Sequence, residues 1–128
     1  MIQNNYWVDK KFVIIPVPLH WRRENWRGFN QAEIIAAEVG KILNLNINNN
    51  LIKRFKNTRK QAVSNKMERQ ENLKDAFEIC DFTKMNRLFP KNVIIFDDVW
   101  TTGNTIKNII KIIPKNRKIW VLTLATGN

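Results

Sequence analysis

The chain has 128 residues, 44% of them hydrophobic and 26% charged, which suits one domain with its own core and excludes disordered or collagen-like chains. Its 22 Lys and Arg against 11 Asp and Glu leave a formal net charge of +11, so anionic partners are expected: nucleic acid, phosphorylated metabolites or an acidic membrane surface. One cysteine, Cys80, and one histidine, His20, exclude an internal disulfide and a Cys- or His-based metal cluster.

In chain order, residues 1–5 lack the basic-then-apolar order of a signal peptide. No apolar run approaches the roughly 18 residues of a membrane span, so a cytoplasmic protein without membrane insertion is expected. Residues 12–19 (FVIIPVPL) read as a buried strand ending at its prolines. From Phe29, apolar residues recur at Ala32, Ala36, Val39 and Leu43, the stripe of an amphipathic helix, and the Asn-rich stretch 44–50 ends it. Residues 51–65 are basic and weakly patterned and read as a long loop. A short helix over 67–74 and a strand over 76–80 follow.

The continuous apolar run of residues 93–96 predicts a strand covered on both faces. Ile106, Ile109, Ile110 and Ile113 then keep helical spacing until Pro114, and residues 119–124 form the last strand. Strands alternating with helices imply an α/β domain with a mainly parallel, helix-flanked central sheet.

Cations gather in three groups: Arg22, Arg23 and Arg27; Lys53, Arg54, Lys56, Arg59 and Lys60; and Lys107, Lys111, Lys115, Arg117 and Lys118. The third group fits a solvated polar helix face. The first two hold arginines in loop-like sequence, where phosphate contact is expected. Trp21 and Trp26, interleaved with arginines, suit stacking on single-stranded nucleic acid, surface packing or a dimer contact. Trp120, inside an apolar strand, reads as core; Trp100 is placed beside any ligand of the turn it precedes.

The most informative stretch is residues 94–105, IIFDDVWTTGNT. An apolar strand runs into two adjacent acids, then a Thr/Gly turn, then a helix. Open α/β sheets bind ligands at such carboxyl ends. Gly103 permits a tight path on which backbone N–H groups converge on a phosphate. Thr101, Thr102 and Thr105 add hydroxyls, and the helix N-terminus favours an anion. Asp97 and Asp98 suit vicinal sugar hydroxyls or a hydrated magnesium ion rather than phosphate. A ribose-5-phosphate site is the expectation; Thr caps beside exposed acids are the plainer alternative.

These residues resemble the phosphoribosyl pyrophosphate (PRPP) motif of type I phosphoribosyltransferases, spanning residues 94–105. The stretch from Ile15 through Pro18, Leu19, His20, Arg22 and Arg23 to Arg27-Gly28-Phe29-Asn30-Gln31-Ala32 is similar to the signature of the ComF family. So are Arg59, Gln61 and Arg69-Gln70-Glu71-Asn72 followed by Ala76-Phe77. That family comprises bacterial competence-associated proteins with a phosphoribosyltransferase domain, and the resemblance implies one such domain over residues 1–128. It implies ribose contacts at Asp97 and Asp98. The 5-phosphate would lie on Thr101, Thr102, Gly103, Asn104 and Thr105, and pyrophosphate near Pro18, Leu19, His20 and Arg22. A mobile basic loop over about 54–72, with Arg59, Gln61 and Arg69, would close over PRPP, and Mg²⁺ would arrive with PRPP rather than on direct protein ligands. For His20, a packed neutral ring and pyrophosphate contact both stay open.

The chain is expected to lack the Cys-rich, zinc-ribbon-like N-terminal segment of full-length relatives, and 1–11 is short for an acceptor-selecting hood. Two function classes follow. One is transfer of phosphoribose from PRPP, with release of pyrophosphate, to an unknown acceptor. The other is a non-catalytic accessory of DNA uptake that binds single-stranded DNA through basic loops. By analogy a homodimer is expected.

Overall fold

The computed structural model describes residues 6–19, 29–55, 76–80 and 88–127. Helix α1 (Tyr6–Asp9) precedes β1 (Val13–Pro16), α2 (Gln31–Leu43), β2 (Asn46–Ile47), β3 (Ile52–Phe55), β4 (Ala76–Ile79), β5 (Asn92–Trp100), α3 (Asn104–Ile112) and β6 (Lys118–Thr126). Four strands form the central sheet in the order β2-β1-β5-β6. All three pairings in it are parallel, with Ile14 opposite Ile94 and Ile95 opposite Val121. The α/β class and helix-flanked parallel sheet expected from the sequence are what the chain forms.

β1 and β5 occupy the two central positions, and the continuous apolar runs of their sequences follow from that. Ile14, Ile94 and Phe96 pack against Ala32 and Ala36 of α2. On the opposite face Ile15, Val93 and Ile95 pack against Ile106, Ile109 and Ile113 of the α3 region, with Leu51, Ile52, Phe77 and Phe89. Each such side chain stabilises by roughly 1.5–3 kcal/mol on burial, so most of the cohesion lies in these two layers.

Helix α2 starts at Asn30, whose side chain accepts from the Ala32 N–H at 3.0 Å. It stops at Asn44, which takes the left-handed conformation (φ 60°, ψ 48°) and donates its N–H to the Gly40 carbonyl. Gly40 also gives room to β2: a Cβ there would come within 2.9 Å of Ile47 Cδ1. Pro114 follows the last turn of α3, which ends at Ile112.

Three expectations are corrected. The start of the stretch 51–65 is no loop: Leu51 is buried and residues 52–55 form β3, antiparallel to β4 in a separate two-stranded sheet. Trp120 is not core: β6 ends the sheet, and the indole remains 46% exposed. Of the third cation group only Lys107 and Lys111 ride on α3, since Lys115 and Arg117 follow it and Lys118 opens β6. The helix expected over 67–74 lies outside the described residues, as do Trp21 and Trp26.

Candidate functional site

β5 is buried from Val93 to Phe96 and becomes half-buried at Asp97 and Asp98, where the strand leaves the cover of the helices. The strand itself continues to Trp100, and the Asp98 N–H donates to Asp97 Oδ1 at 2.9 Å. Asp97 feels this crowding. Burial first, and then the adjoining Asp98 carboxyl, push its pKa up from 3.8 to about 6, with the Arg54 guanidinium pulling the other way.

Beyond the acids the chain crosses Thr101 and Thr102 to Gly103, whose φ of 83° is left-handed. Steric space also demands glycine, because a Cβ would lie 2.8 Å from Trp100 Cζ2. Trp100, placed by the sequence beside a ligand, thus carries the turn on its ring and lines a small hollow with Thr101, Gly103 and Thr105. Its carbonyl is anchored by the Gly127 N–H at 2.7 Å, which ties the exit of β6 to the same turn.

The two main helices begin differently. α2 has the Asn30 cap, whereas α3 starts at Gly103 with no side-chain cap and no acid in its first turn. The Thr102 hydroxyl accepts from the Asn104 N–H at 3.2 Å. A helix start arranged this way, ringed by Thr hydroxyls, favours an anion.

A cleft of ≈ 510 Å³ opens between these parts. Asp97, Asp98, Thr101 and Thr105 line one side, Pro18 and Leu19 another, and Asn30, Gln31 and Arg54 the rest. Asn30 bridges two elements, donating from Nδ2 to the Val17 carbonyl at 3.1 Å while it caps α2. The exit of β1 is thereby pinned to the helix that follows it. Arg54 reaches in from β3, donating from Nη1 to the Pro18 carbonyl at 3.1 Å with its guanidinium 5.2 Å from the Phe77 ring centroid.

Of the residues singled out in the sequence, Asp97, Asp98, Thr101, Thr105, Pro18 and Leu19 share this one cleft. Thr102 and Asn104 stand at the turn itself, and Gly103 is its pivot. His20, Arg22, Arg59, Gln61 and Arg69 lie outside the described residues. Three polar contributors, Arg54, Asn30 and Gln31, have no role of their own in the sequence reading. Arg54 falls there among loop cations, because Ile52-Lys53-Arg54-Phe55 is apolar only at its ends and lacks the period-two alternation that marks a strand. Asn30 figures there only within a signature, although an Asn before an apolar-periodic helix is an N-cap signal.

No protein-family model matches the chain, and no solved structure matches it either. Curated relatives do. The chain is 31% identical over 134 aligned residues to competence protein F of Haemophilus influenzae, covering 88% of this chain and 58% of that protein. It is 38% identical over 99 residues to competence protein ComFC of Bacillus subtilis, covering 77% and 36%. To the DNA utilization protein YhgH of Escherichia coli K12 it is 31% identical over 114 residues, covering 85% and 48%. Over this shared region the chain belongs to the ComF family. It spans about half the length of the curated relatives it matches. The ComF assignment, made from the stretch Ile15 to Ala32 and from Arg59, Gln61 and residues 69–72 followed by Ala76-Phe77, therefore holds. Pro18, Leu19, Asn30 and Gln31 of the first stretch border the cleft, and residues 59–72 lie outside the described residues.

Proposed function

We propose that this ComF-family chain binds PRPP with Mg²⁺ in the cleft and transfers its phosphoribosyl group to an acceptor, in the service of DNA uptake or use. The observation that carries the reading is the contrast at the end of β5. A helix start whose N-cap is a glycine, with the Thr102 hydroxyl on the Asn104 N–H and Thr101 and Thr105 nearby, adjoins two carboxylates, and an arginine and the β1 exit line the same cleft. A ligand matching it is anionic at both ends with hydroxyls between. The competence and DNA-utilization names of the relatives support the setting.

In this reading Thr101, Thr102, Thr105 and the N–H groups after Gly103 hold the 5-phosphate. Asp97 and Asp98, ionised, accept the two ribose hydroxyls and fix the ring. Breaking the C1–oxygen bond leaves positive charge on ribose and negative charge on the departing pyrophosphate. The carboxylates face the first and Arg54, braced on the Pro18 carbonyl, faces the second. Mg²⁺, carried on PRPP oxygens, would neutralise further pyrophosphate charge. The residue set fits such an ion: the two half-buried carboxylates orient the hydroxyls, and the pKa of Asp97 leaves it mostly ionised at neutral pH.

The test is calorimetric titration with PRPP, with and without Mg²⁺, on wild type and on the Asp97→Asn/Asp98→Asn variant. Magnesium-dependent binding lost in a folded variant supports the site and warrants an acceptor screen. Absence of binding by folded wild-type protein would sink it. The net charge of +11, together with the names of the relatives, favours a second reading in which the chain is a non-catalytic accessory holding single-stranded DNA.

A further inference from the structure

The end of the central sheet opposite the cleft carries a second chemistry. The first residues of β1, β5 and β6 lie side by side there, with Val13 opposite Val93 and Asn92 opposite Lys118. Each strand is entered through cations: Lys10 and Lys11 before β1, Lys91 before β5, Lys115 and Arg117 before β6, whose first residue is Lys118. Hydrogen bonds to the backbone draw them together. The Lys118 N–H donates to the Lys91 carbonyl at 2.9 Å, and Asn92 Nδ2 donates to the Lys10 carbonyl at 2.6 Å. Arg117 donates to the carbonyls of Pro90 and Lys115 at 3.0 and 2.8 Å. Lys10, Lys11, Lys91, Lys115 and Lys118 are all exposed. Segments 10–12, 90–92 and 114–118 contain no acid, and Asp9 is the one acid between Tyr6 and Phe12.

Aromatic rings stand among these cations. Trp120 is 46% exposed and Tyr6 41%. Trp7 meets Trp120 edge-on at 4.7 Å between centroids and Phe12 at 5.1 Å, so the Trp120 indole is held in place from the core side. Lys118 Nζ lies 2.9 Å from the Tyr6 hydroxyl. A pinned indole half open to solvent, two residues along β6 from Lys118 and at a sheet end entered by four more exposed lysines, matches a ligand that has both phosphates and accessible base faces. Duplex DNA presents the phosphates and hides the faces.

We propose that this amino-end surface, with Trp120 as its stacking platform and Lys10, Lys91, Lys115 and Lys118 as phosphate contacts, binds single-stranded nucleic acid. Its strand entries lie about 16 Å from the acids of the cleft, the five steps of β5 from Asn92 to Asp97 at roughly 3.3 Å per residue. It is independent of the PRPP reading and of the basic loop around Arg59 and Lys60.

The experiment is fluorescence anisotropy of a labelled oligothymidylate over a range of salt concentrations. Lys91→Glu/Lys115→Glu should weaken binding at least tenfold and flatten the salt dependence, by roughly 0.7 in log–log slope for each phosphate no longer neutralised. Trp120→Ala should weaken the single strand about tenfold and leave duplex binding nearly unchanged. Asp97→Asn/Asp98→Asn and excess PRPP should leave oligonucleotide binding as in wild type, and the lysine variant should bind PRPP normally. Wild-type affinity in the Lys91/Lys115 variant, combined with loss in Arg59→Glu/Lys60→Glu, would overturn the assignment. So would tighter retention on phosphatidylserine vesicles than on the oligonucleotide, abolished by the same Lys91/Lys115 change.

Discussion

Asp97 carries opposite consequences for stability and for binding. Its pKa of about 6 in the folded chain stands above the ordinary value of 3.8. The folded state therefore favours the protonated acid: that contribution is complete below about pH 4 and disappears as pH rises through 6, leaving a buried charge that opposes folding. Asp97→Asn removes the penalty. Thermal unfolding should show the variant more stable than wild type by about 1–2 kcal/mol near pH 8, after allowance for solvent screening at this half-buried site. The difference should vanish near pH 4. PRPP affinity should run the other way in wild type, rising from pH 5 to pH 7.5 as the carboxylate ionises, and should be low in the variant throughout. Equal stability of the two proteins across this range would remove the burial argument. A residue that costs stability in its working charge state is what a binding role predicts.

At the scale of elements, the strand–turn–helix from β5 to α3 is legible in the sequence almost completely. Its chemistry is local: a run of apolar residues, two acids, a glycine and an Ile stripe each fix their own conformation. α2 is legible for the same reason, with apolar positions at helical spacing and an Asn at each end. β3 is not, because its partner β4 lies far along the sequence and its register, Ile52 against Ile79, is set by that distant pairing. Arg54 consequently reads as a loop cation when it is a cleft residue. The turn before α3 yields the prediction at this scale. Gly103→Ala meets both a left-handed φ and the Trp100 ring. The left-handed conformation alone costs roughly 1–2 kcal/mol, so the transition midpoint should fall measurably in a denaturant titration. PRPP affinity should drop at least tenfold by calorimetry because the N–H groups after the turn are re-aimed. An alanine variant that keeps wild-type affinity would mean the turn does not hold the phosphate.

Across the whole molecule, a four-stranded parallel sheet separates two ends of different character: acids, threonines and a cleft at one, lysines and aromatics at the other. The acids and threonines of the first end are readable from sequence because they are contiguous in residues 97–105, whereas Arg54 reaches the same cleft from β3. The second end is not readable, because those cations come from three strand entries that only the sheet order places side by side. Trp120 reads as core for a related reason: an apolar strand sequence does not reveal that the strand ends the sheet.

Cys80 sits just past β4 with its thiol against the Asn50 carbonyl and its N–H bonded to the Leu51 carbonyl at 3.0 Å, shielded in the small sheet that carries Arg54. As the sole thiol of the chain, it is a built-in clock for the opening of that sheet. A thiol-reactive dye should modify it only during excursions that part β3 and β4 from the core, so the labelling half-time reports their frequency. PRPP with Mg²⁺, by engaging Arg54 in the closed form, should lengthen that half-time in proportion to occupancy. An unchanged half-time at saturating ligand would reveal a small sheet that breathes independently of the cleft it borders.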